Sequence, residues 1–107
     1  MNKKEIVQSY YNCFERKDRA TLEKILKEDF KFTSSYANYT NRDDMLDDIW
    51  PQIILNTDKI IGLEIFENGN RFMVKYSNSR ASVSEFIRLE NNKVAEAEVF
   101  IGKRKEE

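Results

Sequence analysis

The chain has 107 residues, 40% of them hydrophobic and 12% aromatic, with 18 lysines and arginines against 19 acidic residues for a formal charge of −1. This size and mix fit one soluble globular domain over residues 1–107, with a real core, far from disordered compositions. The balanced charge offers no footprint for nucleic acid or an anionic membrane. There is no histidine, which excludes a histidine general base, Ser-His-Asp and Cys-His arrangements, and any histidine-built metal site.

The single cysteine, Cys13, excludes an internal disulfide and suits a reducing compartment. The opening MNKKEIVQSYY has no apolar region of the signal-peptide kind, and the longest apolar run, Ile53-Ile54-Leu55, stops at Asn56. A cytoplasmic protein is therefore expected, with no metal and no cofactor. The basic run Lys103-Arg104-Lys105 is followed at once by Glu106 and Glu107 and reads as a solvated tail.

In chain order, Ile6, Val7, Tyr10, Tyr11 and Phe14 recur at the three-and-four spacing of an amphipathic helix over residues 3–16. Asp18 can cap a second helix bearing Leu22, Ile25 and Leu26. Phe30-Lys31-Phe32-Thr33 then alternates as a short strand, followed by a polar loop over 34–39. Thr40-Asn41-Arg42-Asp43 forms a capping box for a third helix with Met45, Leu46, Ile49 and Trp50, which Pro51 is expected to end. From about residue 58 onward the period changes to two. Ile61, Leu63 and Ile65 alternate; Asn68-Gly69 turns into 71–76; Asn78-Ser79 turns into 82–90; Asn91-Asn92 turns into 93–101. Helices first and a meander afterwards predict an α+β domain with helices covering one face of a curled sheet. In the last strand Ala95, Ala97, Val99 and Ile101 share one face, smaller than a packed core needs, and Glu96, Glu98 and Phe100 the other.

The stretch IVQSYYNCFERKDRATLEKILKEDFKFTS resembles the opening of the NTF2-like superfamily, which includes SnoaL-like and ketosteroid-isomerase-like proteins. The polar word Arg16-Lys17-Asp18, the junction Glu28-Asp29-Phe30-Lys31-Phe32 and the closing pair around Phe86–Val94 carry the likeness. It implies a cystatin-like cone, three N-terminal helices packed on a curved antiparallel sheet, with a hydrophobic cavity at the wide end. It also implies a homodimer paired through the outer sheet face. Activities in the superfamily include isomerases, dehydratases, cyclases and hydrolases beside non-catalytic binders, so residues at the site must decide.

Ketosteroid isomerases use a first-helix tyrosine and a protonated acid as an oxyanion hole, with an aspartate to move the proton. By resemblance the tyrosine falls on Tyr10, the aspartate on Ser35 and the acid on Ser84. Reading Glu85 instead of Ser84 would restore a carboxylate, but neighbours on a strand point to opposite faces, so Glu85 is expected to face away. The cavity candidates are Tyr10, Ser35, Tyr36, Trp50, Ser84, Phe86, Ala97 and Val99, with Tyr39 at the mouth and no catalytic residue assigned. Asp29 reads as a capping or turn residue at the helix-to-strand junction and Cys13 as a buried inert thiol. The leading expectation is a protein that binds a small, largely apolar ligand without ketosteroid-type catalysis. Two alternatives stand beside it: a SnoaL-like enzyme using Tyr10 and an unidentified cavity carboxylate, and a dimeric protein-interaction module.

Overall fold

A computed structural model describes residues 1–103, so Arg104, Lys105, Glu106 and Glu107 of the expected tail lie outside the described residues. Helix α1 (Lys3–Arg16) starts at Asn2, whose side chain accepts from the Glu5 amide while Glu5 accepts from the Asn2 amide, a reciprocal cap. It stops at Lys17, which takes a left-handed φ of 59°. Asp18 caps α2 (Arg19–Ile25) by accepting from the Thr21 amide at 3.1 Å, as expected.

Strand β1 (Leu26–Thr33) begins one residue after that helix. Leu26 was expected in the helix; instead it is extended, fully buried and paired with Val94, because tertiary pairing outweighs its helical propensity. Asp29 is likewise in the strand, with its carboxylate 3.8 Å from Lys27. The polar loop contains a two-residue strand, β2 (Asn38–Tyr39), paired with β1. The third helix, α3 (Arg42–Leu55), is capped by Asn41 rather than Thr40 and runs through Pro51. Proline removes one helical hydrogen bond and typically costs about 3 kcal/mol inside a helix. The extra turn nevertheless half-buries Ile53 beside Ile49.

Strands β3 (Ile61–Asn68), β4 (Arg71–Ser77), β5 (Ala81–Glu90) and β6 (Lys93–Lys103) form the predicted antiparallel meander. Gly69 has φ 65° at the start of the first turn, and Asn91 and Asn92 have φ 53° and 60°, as a type I′ turn requires. The full sheet has the order β2-β1-β6-β5-β4-β3. It is not wholly antiparallel, because β1 and β6 run parallel, joined through α3 and the meander.

One irregularity decides the site. Arg88 pairs with Glu96 but Leu89 pairs with Val94, so β6 carries one extra residue beside the turn. This β-bulge lets Val94 and Ala95 both be buried, at 0% and 4% exposure. Beyond it, Val99 lies opposite Glu85, and Val83, Glu85, Ile87 and Leu89 all turn to the helices. The core joins Val7 and Tyr10 of α1, Leu22 of α2, Phe30 of β1, Leu46 of α3 and Phe72, Val74 and Ile87 of the sheet. Fully burying side chains of this size contributes about 1.5–3 kcal/mol each. No described helix is long and apolar enough to cross a membrane.

Candidate functional site

Between α1, α3 and the concave face of the sheet lies a cavity of about 510 Å³. Tyr10, Tyr11 and Phe14 wall it from α1, Ile49 and Ile53 from α3, and Tyr76, Val83, Glu85 and Val99 from the sheet. Its chemistry centres on Glu85, which is 5% exposed and the sole buried charged side chain among the described residues. The Tyr76 hydroxyl donates to Glu85 Oε1 at 2.8 Å. The other oxygen, Oε2, is buried with no hydrogen-bond partner among the described residues, and so is the hydroxyl of Tyr11. Tyr11 is near enough to favour the Glu85 charge, yet the two groups do not complete a hydrogen bond.

Burial pushes the Glu85 carboxyl up from 4.5 to about 7, against the smaller stabilising pull of the Tyr76 and Tyr11 hydroxyls. Desolvation dominates, as expected for a carboxyl without a cation beside it. The same burial, with Glu85 nearby, raises the hydroxyls of Tyr10, Tyr11 and Tyr76 above their ordinary value of 10.0. They therefore remain protonated donors at neutral pH. The result is a carboxyl poised between acid and base, ringed by phenols, with a donor and an acceptor position unfilled.

The mouth is polar. Tyr36 borders it at 70% exposure, and Tyr39 donates to Asp48 of α3. Glu15 accepts from the Ile60 amide at 3.4 Å, while Asp58 is held by Arg80 at 3.1 Å. Lys59 also borders the opening.

Of the sequence candidates, Tyr10, Tyr36 and Val99 line this cavity. Ala97 shares the concave face but is fully buried in the core behind it. Ser35 is exposed in its loop and does not line the cavity. Trp50 lies one residue round α3 from the cavity-lining Ile49, half-buried beneath the Arg19 guanidinium at 5.9 Å. The expectation for β5 is reversed: Ser84 and Phe86 are on the convex face and Glu85 is inside. An unbroken two-residue hairpin would set Ser84 opposite Val99; the bulge moves the pairing by one and brings Glu85 there. The alternation of β5 carried the signal, since Val83, Ile87 and Leu89 share the Glu85 face whereas Ser82, Ser84 and Arg88 share the other. Tyr11 and Tyr76 were not singled out from the sequence as site residues. Cys13 is buried and its thiol is pushed up by desolvation, consistent with an inert core residue. No cluster of three or more metal-ligating side chains exists among the described residues.

A second depression, about 390 Å³, lies on the convex face between Phe66, Met73, Phe86 and Arg88. Among the described residues no buried titratable group borders it.

No protein-family model matches the chain, and no curated protein matches it either. Solved structures do. An NTF2-like protein of unknown function from Cytophaga hutchinsonii is 16% identical with a TM-score of 0.80, covering 95% of this chain and 91% of that one. A candidate polyketide cyclase from Pseudomonas putida is 14% identical with a TM-score of 0.82, covering 95% and 92%. A protein with a cystatin-like fold from Xanthomonas campestris is 16% identical with a TM-score of 0.79, covering 96% and 92%. The chain has the NTF2-like, cystatin-like α+β fold, as the sequence words implied. At such low identity the likeness is one of fold, and the residues of the cavity must carry the functional argument.

Proposed function

We propose that the cavity binds a small, largely apolar molecule and that Glu85 exchanges a proton with the polar group of that molecule. One observation carries the reading: a buried carboxyl in the cavity wall, tethered at one oxygen by Tyr76 and without a partner at the other. A carboxyl tuned to about 7 is matched to proton transfer at neutral pH. This favours an acid–base role of the SnoaL-like kind over passive binding, with Tyr11 and Tyr76 as the hydroxyls that orient the reacting group. Ketosteroid-type isomerisation is not part of the proposal, because Ser35 supplies no second acid and stands outside the cavity. The test is a carbon-detected NMR titration of the glutamate side chains, together with a thermal-stabilisation screen of small apolar metabolites. Glu85 titrating near 7, and moving when a stabilising compound binds, supports the reading. Titration near the ordinary 4.5 with no stabilising compound overturns it.

A second proposal concerns assembly. Phe66, Phe86 and Phe100 are 46%, 47% and 51% exposed on the convex face, and the rings of Phe86 and Phe100 meet edge-on at 5.8 Å. Arg71, Lys75, Glu64 and Glu98 flank them on the same face. An aromatic patch bordered by both signs of charge is self-complementary under a two-fold axis, so a second copy of the chain fits it.

A further inference from the structure

Resting on the part of that reading that seats a small apolar ligand against Glu85, we infer that the ligand's polar group is a cation: the site takes a small aromatic or alicyclic amine, its ammonium beside Glu85 and Tyr11. Two features of the cavity carry this. The first is a pair of unsatisfied hydrogen-bonding groups, a carboxyl oxygen that accepts and a hydroxyl that both accepts and donates. Glu85 Oε2 and Tyr11 Oη are buried, lack partners among the described residues and belong to the same wall. An ammonium supplies donors to both at once.

The second is the charge around that wall. Among the described residues, none of Glu85, Glu15 and Asp48 is in an ion pair, and all three line the cavity. Lys59 is the one basic residue of the lining, and Asp58 is already neutralised by Arg80. Glu15 and Asp48 stand exposed at the mouth and Glu85 is buried in the wall, so the field along the entry favours cations over anions. The aromatic rings that wall the space, Tyr10, Tyr11, Phe14 and Tyr76 among them, add π faces of the kind that hold ammonium groups.

A neutral carbonyl ligand is the rival occupant, and pH separates the two. The carbonyl needs Glu85 to keep its proton and donate it; the ammonium needs Glu85 ionised. The groups that face Glu85 are Tyr76 from β4, Tyr10 and Tyr11 from α1 and Tyr36 from the 34–37 loop, while β6 presents Val99. All four tyrosines are raised above 10.0 and stay neutral, so Glu85 is the group in this shell that changes charge near neutrality.

Calorimetric titration of the protein with 2-phenylethylamine, 2-phenylethanol and phenylacetate, three probes of similar size and different charge, tests the inference. At about pH 8 the amine should bind about tenfold tighter than the alcohol, and phenylacetate should not bind. Lowering the pH to about 5.5 should weaken the amine about tenfold or more as Glu85 takes up its proton, and leave the alcohol unchanged. Glu85→Gln should erase the preference for amine over alcohol, with circular dichroism confirming the fold. Alcohol or phenylacetate binding as tightly as the amine overturns the inference while leaving the ligand cavity intact, and so does amine affinity that ignores pH. Failure of all three probes overturns the amine inference, and the Glu85 titration with the stabilisation screen then decides the proposed function separately.

Discussion

Replacing Glu85 with glutamine keeps the shape of the side chain and its acceptor for Tyr76 but removes its titration. The consequence for stability has a definite sign. Unfolded, the carboxyl loses its proton near 4.5; folded, burial holds the proton until about 7. Between those values the native state binds more protons than the unfolded state, so stability falls as pH rises and levels off above about 7. At about 1.4 kcal/mol per pH unit, the whole loss is roughly 3 kcal/mol. Glutamine is neutral throughout and escapes it. The variant should match the parent near pH 4.5 and exceed it by roughly 3 kcal/mol near pH 8, a difference of roughly 10 °C in melting temperature for a domain of this size. Urea unfolding of both proteins at half-unit steps across that range measures the divergence directly. Two curves that run parallel within about 0.5 kcal/mol would refute the claim that Glu85 is buried without a compensating cation.

Other expectations follow from single contacts. Tyr76→Phe removes the donor to Glu85 Oε1, so the carboxyl should titrate higher still, and the variant should lose about 1–3 kcal/mol near pH 8 but less near pH 5; NMR and urea unfolding read the two effects. Asn92→Ala puts a residue with less tolerance for the left-handed region at φ 60° and should cost about 1 kcal/mol, while Asn92→Gly should be neutral or stabilising in the same unfolding assay. On the proposed pairing, the parent should sediment as a dimer and Phe86→Glu as a monomer with an unchanged melting temperature; equal sedimentation coefficients would remove the convex face as a pairing surface.

The fold was largely legible because its signals are local. The spacing of Ile6, Val7, Tyr10 and Tyr11 declares a helix, and Asn91-Asn92 declares a turn, wherever they occur. What escaped was set by distant partners. Leu26 leaves the helix for Val94, and α3 passes through Pro51. The site failed to read through for a sharper reason. The resemblance set the acid's position on Ser84 and alternation then turned Glu85 away, but the extra residue at Val94–Ala95 brings Glu85 opposite Val99 on the concave face. Pattern within β5 would have resisted the error, since a lone glutamate among Val83, Ile87 and Leu89 is the kind of exception that marks a functional position. Tyr10 and Tyr11 illustrate a milder limit: the buried stripe of α1 is wide enough to hold both, so helical period does not choose between them.

The placement of β6 bears on how the molecule comes together. Val94 is paired on one side with Leu26 of β1 and on the other with Leu89 of β5, so the core behind the cavity joins segments distant in sequence. The β3–β5 meander can form from near neighbours alone, whereas closing β1 onto β6 must overcome the entropy of a long intervening loop. In any form of the chain where α1 is not packed over the sheet, Glu85 would be in water with an ordinary affinity for its proton. Alkaline conditions should therefore leave the hairpins indifferent and penalise the final docking of the chain's two halves, making the acid a gate on assembly as well as the centre of the finished pocket.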